Sequence, residues 1–354
     1  MPVNLNLFTY SALSAKARAS YGRLLNEENY RMLIEMGSVG EIASYLKENT
    51  YYREILSNVD ETKIHRGQLE NIIKTDIMKE YDKFLKFTSG NARKFLQSTY
   101  KKYETESLKI IFRRLETVGG VMSAEGYLLF LKNSSDVDFH KLIKSKDSLE
   151  FIENLKGTEY YDVLRPFTST GVSINLFNLE MVLDLHYFKF LYKRMKKYLK
   201  GRDFAPLDES FGIKTDVLNM LWIYRCKKYY GMKNEIIRSY ILPFNAGLRK
   251  ETLNRLIDSD SIEEFLEIAS QTKYKSIFKR DIDGFFEVNF ADYMYNIHMK
   301  LFRKYSLTVT SAVDYIHMKE YELSNIISII EGIRYGLPPE KIRKFIVGFD
   351  IRGE

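Results

Sequence analysis

A single cysteine, Cys226, stands in a chain of 354 residues. It excludes an intrachain disulfide and a thiolate metal cage, and it fits a reducing compartment in which a lone thiol is buried and inert. Prolines number only six. Because proline breaks a helix interior, that scarcity leaves room for long helices. No apolar run approaches the roughly 18 residues that a membrane-spanning helix needs. The opening Met1-Pro2-Val3-Asn4-Leu5-Asn6-Leu7 lacks a basic leader. The expectation is a cytoplasmic chain that does not itself insert into a membrane.

Catalytic signatures are missing as well. There is no Gly-x-x-x-x-Gly-Lys-Ser/Thr loop to cradle nucleotide phosphates, no Gly-x-Gly-x-x-Gly after a strand, and no Gly-x-Ser-x-Gly elbow. His65, His140, His186, His298 and His317 stand apart without His-x-x-x-His or Glu-x-x-His spacing. They read as surface or packing groups and not as metal ligands. No catalytic residue, cofactor or metal is expected.

What is present is a globular composition, 45% hydrophobic and 29% charged. At this length more than one core is expected, since single cores stop growing near roughly 250 to 300 residues. Fifty-four Lys plus Arg against 47 Asp plus Glu give a formal charge of +7, which favours an anionic partner. The excess is densest at Lys189, Lys193, Arg194, Lys196, Lys197, Lys200 and Arg202, interleaved with Phe190, Leu191, Met195, Tyr198 and Leu199. That alternation reads as the solvated face of one amphipathic helix. The 26 tyrosines and 23 phenylalanines fall at core-like spacings outside the basic clusters, which favours packing over base stacking.

Helical periodicity dominates throughout, so the fold class is all-α. The chain also repeats itself. Ser38, Asp147 and Asp260 are each followed three residues later by Glu41, Glu150 and Glu263, the pattern of a capping-box helix start. In register come Ala43, Ile152 and Phe265, then Leu46, Leu155 and Ile268, then Tyr52, Tyr161 and Tyr274, then Ile55, Leu164 and Ile277. Just upstream sit Leu33-Ile34, Leu142-Ile143 and Leu256-Ile257. The joint pattern recurs at spacings of 109 and 113 residues.

A second landmark follows in each copy: Glu106 with Lys109, Asp216 with Asn219, Glu322 with Asn325, each preceding an apolar pair. On a helix, residues i and i+3 share a face. Long helices are expected over 69–87, 179–199 and 291–305. Glycines at Gly119-Gly120, Gly231 and Gly336, the last followed by Leu337-Pro338-Pro339, mark helix ends. The period is too long for a two-helix solenoid. It predicts three helical repeats, 1–120, 121–235 and 236–354. Glu106, Asp216 and Glu322 could in principle share a divalent cation, but a carboxylate once per copy is better read as a polar partner inside each repeat. Trp222, Tyr224 and Cys226 are expected in the core of the second copy.

The stretch Tyr10-Ser11-Ala12-Leu13-Ser14-Ala15-Lys16-Ala17-Arg18, followed by Tyr21-Gly22-Arg23-Leu24-Leu25, resembles the opening helix of the C subunit of V/A-type rotary ATPases, the counterpart of the d subunit of eukaryotic vacuolar ATPases. Glu48-Asn49-Thr50-Tyr51-Tyr52, Leu242-Pro243-Phe244-Asn245-Ala246-Gly247, and Glu322-Leu323-Ser324-Asn325-Ile326 through Gly336-Leu337-Pro338-Pro339-Glu340 extend the resemblance along the chain. It implies a funnel of three similar domains about a pseudo-threefold axis. That funnel would be a non-catalytic peripheral subunit on the cytoplasmic face of the membrane. It would join central-stalk subunits of the D and F type to the proteolipid rotor ring, transmitting torque for ATP-linked proton or sodium transport.

Stalk contacts are expected around Lys16, Arg18, Glu106, Asp216, Glu322 and Asn325, chosen by pattern. Nucleic acid is not an expected partner. Two rival readings are an RNA-binding helical scaffold, which its salt dependence would reveal, and a metal-dependent enzyme built on the three acidic landmarks.

Overall fold

A computed structural model of the protein describes residues 5–116, 128, 131, 135–169, 176–279 and 285–349. The described residues form helices and connecting turns without a strand, so the protein is all-α. Cys226, Trp222 and Tyr224 are buried on one helix, as expected, but Tyr224 packs on Phe265 and Phe286 of the third copy and not on the second alone. Burial pushes the Cys226 thiol up to about 11.

By packing the chain divides into two compact units, Val39–Tyr198 and the combination of Met1–Ser38 with Leu199–Glu354. This division does not follow the repeat: the break after Ser38 runs through the first sequence copy. Gly119-Gly120, where the first copy was expected to end, lies outside the described residues.

In the Val39–Tyr198 unit, the helix Leu176–Tyr198 packs along Lys101–Glu116 and Gly90–Ser98. Leu179, Leu183 and Tyr187 from the first of these, with Leu108, Ile111 and Phe112 from the second, are buried. Their spacings put each set on one helical face. Among the described residues of this unit, Arg66–Lys86 is the remaining long helix, close to the expected bounds.

In the other unit the helix Thr310–Arg334 is central. Phe286–Lys304 lies along it, and Leu5–Tyr21 packs on it, so the first helix of the chain closes onto the last long one. Gly201–Tyr230 packs on Phe286–Lys304. Gly231 adopts φ +53° and returns its N–H to the Cys226 carbonyl, and Gly336 at φ +64° stands where the final long helix stops. Both positions need the left-handed backbone that glycine enters without penalty.

One expectation is corrected. The basic stretch Lys189 to Arg202 is not one helix, because the first helix ends at Tyr198 and the next begins at Gly201. Gly201 takes φ +51°, which interrupts the helical run. Its solvation is as read: Lys189, Lys193, Lys196, Lys197, Lys200 and Arg202 are at least partly exposed.

Candidate functional site

The three repeat starts are built as predicted in the middle copy and displaced in the last. Asp147 accepts from the Glu150 N–H at 2.8 Å. In the third copy the cap is Ser261, which accepts from the Glu264 N–H at 3.1 Å, while Asp260 N–H donates to Glu264 Oε2 at 2.8 Å. The Asp260/Glu263 pairing is thus corrected by one residue. Aspartate and serine are both good caps, so adjacent candidates are separable only by geometry.

The tyrosine register is corrected in the same way. Tyr52, Tyr160 and Tyr274 are each 0% exposed, whereas Tyr161 is half-buried and donates to Glu153 Oε1. Two residues before each buried tyrosine stands a threonine. Thr50, Thr158 and Thr272 donate to the Leu46, Leu155 and Ala269 carbonyls. Each side chain thereby closes the end of the capped helix. Four residues on, Leu56, Leu164 and Phe278 are buried. The shared element is Thr-x-Tyr-x-x-x-apolar.

The second-copy landmark is a grip on a loop. On the Gly201–Tyr230 helix, Asp216 Oδ2 accepts from the N–H groups of Ala246, Gly247 and Leu248 at 3.1, 2.8 and 3.0 Å, and from the Tyr274 hydroxyl at 2.6 Å. Three successive N–H groups turned to one point form an anion-binding nest, and here a carboxylate of the same chain occupies it. Burial, followed by the hydrogen bond to Asp216, raises the Tyr274 pKa. One turn on, Asn219 donates to the Leu242 carbonyl at 3.0 Å and accepts from its N–H at 2.9 Å. Thr215 donates to the Phe244 carbonyl. A Cβ on Gly212 would stand 2.8 Å from Ala246 Cβ, so glycine lets the loop lie against the helix.

The third copy repeats the amide grip. Asn325 donates to the Val347 carbonyl and accepts from its N–H, both at 2.9 Å. Glu322 accepts from the Leu25 N–H near the start of the chain and from Lys319 Nζ at 3.0 Å. Lys319 is fully buried, and desolvation lowers its pKa to about 8 against the opposing pull of Glu322. In the first copy, Lys109 replaces the asparagine and pairs with Asp184 and Glu106. Thr105 lies 3.4 Å from the Tyr160 hydroxyl.

Of the residues expected to meet a stalk, Asp216, Glu322 and Asn325 are therefore buried and engaged inside one unit. Arg18 is exposed, while Lys16 and Glu106 are half-buried. Lys16 and Arg18 belong to the helix that closes on Thr310–Arg334.

The sequence profile of the ATP synthase (C/AC39) subunit matches residues 13–345. The chain belongs to that family. As a C/AC39 protein it is similar to the C subunit of the A-type ATP synthase of Methanocaldococcus jannaschii, 24% identical over 97% of this chain and 87% of the relative. It is likewise similar to the same subunit of Methanosarcina mazei, 26% identical over 96% of this chain and 92% of the relative. A C/AC39 protein is a structural and not a catalytic component of the ATPase, and it has partner subunits. No helix among the described residues is long and apolar enough to cross a membrane.

Sequence reading missed several polar partners of this C/AC39 protein. Asp203, in the first turn of its helix, accepts from the Tyr10 hydroxyl at 2.7 Å and from the Val309 N–H at 3.1 Å. It ties three helices together. His298 Nδ1 lies 2.8 Å from Asp314 Oδ1, and its ring centre is 4.3 Å from that of His317. This histidine is a packing group, as expected. Asp184 was hidden because its lysine partner is 75 residues away.

Proposed function

We propose that this protein couples the central stalk to the membrane rotor ring of a V/A-type rotary ATPase. It passes torque between D- and F-type stalk subunits and the proteolipid ring, on the cytoplasmic face, without binding nucleotide or the carried proton or sodium ion. The observation that carries this reading is the family match across residues 13–345. The polar grips favour it physically. A coupler must resist deformation, and buried hydrogen bonds fix loops on long helices more rigidly than apolar contact alone. The three repeats are read as three similar domains around a pseudo-threefold axis. Lys16 and Arg18, with Glu106, are the charged groups proposed to meet the stalk, and Asp216, Glu322 and Asn325 shape the loops that stand beside it.

The test is recovery of tagged protein from detergent-solubilised membranes of its own organism, with mass spectrometry and ATPase assay of the eluate. Stalk and proteolipid subunits with activity are the expected result; an eluate without them overturns the reading. A second reading rests on residues 185–202, which hold seven Lys or Arg and no Asp or Glu. If that stretch binds RNA, the eluate carries nucleic acid and its retention falls steeply with salt.

A further inference from the structure

We propose that a cavity beside Glu322 receives an alkylammonium group, the end of a lysine side chain presented by a partner protein of the assembly. The partner's identity rests on the coupling reading; the chemistry of the cavity does not. The cavity measures about 220 Å³, larger than the ~150 Å³ void that admits a benzene-sized guest. Tyr21, Tyr30, Tyr295, Tyr321 and Phe349 wall it, and Glu322 lines it among them.

Neighbouring rings of the wall touch one another at inclined angles. Tyr30 and Phe349 lie 5.0 Å apart at 49°, Tyr295 and Phe349 6.2 Å apart at 45°, and Tyr295 and Tyr321 5.9 Å apart at 71°. Several aromatic rings about one space attract a cation through their quadrupoles, and the attraction grows when water is excluded. Burial, and after it the charge of Glu322, pushes the Tyr30 hydroxyl well up, and burial with contributions from Tyr21 and Glu322 takes Tyr295 to about 12. Burial penalises a charge of either sign, so the sign of the guest is set by the ring faces and not by burial.

Lysine suits the space better than arginine. Its ammonium is a compact point charge on a flexible stem that a space of about 220 Å³ admits, whereas a guanidinium, which also stacks on aromatic faces, is a wider rigid fork. Lys319 offsets the Glu322 charge from within the same helix at 3.0 Å and does not line the cavity. Selection therefore falls to the rings, which contact both the methylenes and the charged head of the guest.

The full-length protein is titrated with n-butylammonium, the lysine side-chain end, and with 1-butanol and butyrate as neutral and anionic counterparts, by ligand-observed NMR. We expect butylammonium to bind about tenfold more tightly than 1-butanol, with butyrate weaker than either. Tyr321→Leu and Tyr21→Leu, each at a partly exposed wall, should each weaken butylammonium severalfold and leave 1-butanol nearly unchanged. Equal binding of amine and alcohol, or amine binding indifferent to both variants, overturns the cavity assignment. The second arm adds butylammonium to the protein with purified stalk and ring subunits. Competition by the amine but not by the alcohol supports a partner lysine; assembly indifferent to a bound amine overturns that source in favour of a free amine. If the amine binds and no partner assembles under any condition, the cavity stands and the coupling reading falls.

Discussion

The Tyr274 hydroxyl donates to Asp216 Oδ2 at 2.6 Å across 58 residues of sequence, on the same carboxylate that holds three loop N–H groups. The two residues come from different sequence copies as the repeat divides the chain, yet they form one buried node. Removing the carboxylate strands four donors, whereas removing the phenol strands none of the loop. Asp216→Ala is expected to cost roughly 3 kcal/mol or more, and Tyr274→Phe about 1.5 to 3 kcal/mol. Urea unfolding of both variants checks the order; a larger loss for Tyr274→Phe contradicts the node.

The two asparagines need both halves of their amides. Asn219→Asp and Asn325→Asp keep the acceptor but lose the donor to the Leu242 and Val347 carbonyls, and each places a charge against a carbonyl oxygen. Each should destabilise by about 2 kcal/mol. Amide exchange at Leu242 and Val347, whose N–H groups the side chains also accept, should quicken in the matching variant alone.

Gly212 and Gly231 are held for different reasons, which alanine separates. At Gly212 the added methyl meets Ala246 and the Asn245 backbone, and overpacking of this kind costs about 1 to 3 kcal/mol. At Gly231 nothing lies within reach, and the cost is only that of a positive φ, about 1 kcal/mol. Thermal melts should show the larger drop for Gly212→Ala, together with loosening of residues 242–248.

Lys319 carries a pH signature. Its folded pKa, about 8, lies below the ordinary lysine value of 10.5. Below pH 8 both folded and unfolded states hold the proton; between about 8 and 10.5 the unfolded state binds more, so this group's contribution to stability rises with pH. The shift corresponds to roughly 3 kcal/mol. Buried Cys226 and the buried tyrosines act oppositely above pH 9, so the measurement is the difference between wild type and Lys319→Met/Glu322→Gln. The rise should vanish in the double variant; a difference flat across pH 8 to 10.5 refutes the assignment.

Arg18 tests the stalk contact from an exposed position at which its guanidinium lies 6.0 Å over the ring of buried Phe302. Arg18→Glu should cost only about 1 kcal/mol of stability, through the lost contact with the Phe302 ring, while weakening stalk binding. The weakening should shrink as salt rises, because exposed charges are screened over about 8 Å at physiological ionic strength. Unchanged binding at low salt removes Arg18 from the interface.

Much of the fold was legible from sequence because its signals are local. The Leu33-Ile34, Leu142-Ile143 and Leu256-Ile257 pairs, the Asp147 cap and the glycine stops at Gly231 and Gly336 all act within one or two helical turns. Periodicity reports which face of such a helix is apolar. The misses at Asp260 and Tyr161 were also local, each a choice between neighbours of equal aptitude. At Ser261 the choice falls to the oxygen that reaches the Glu264 N–H, and at Tyr160 to the ring that turns into the core.

The landmarks divide along the same line. Sequence alone singled out Asp216, Asn219, Glu322 and Asn325 by their recurring spacing, and with them the all-α class and the family resemblance. Only the tertiary structure decided that these side chains face inward, and that their partners are Leu25, residues 242–248, Tyr274 and Val347. It alone brought Tyr10, Asp203 and Val309 together and closed the first helix onto the last long one. The reason is physical: capping and periodicity are set by the fixed rise of one helix, whereas a buried polar group takes whichever partner the packing of distant helices delivers to it.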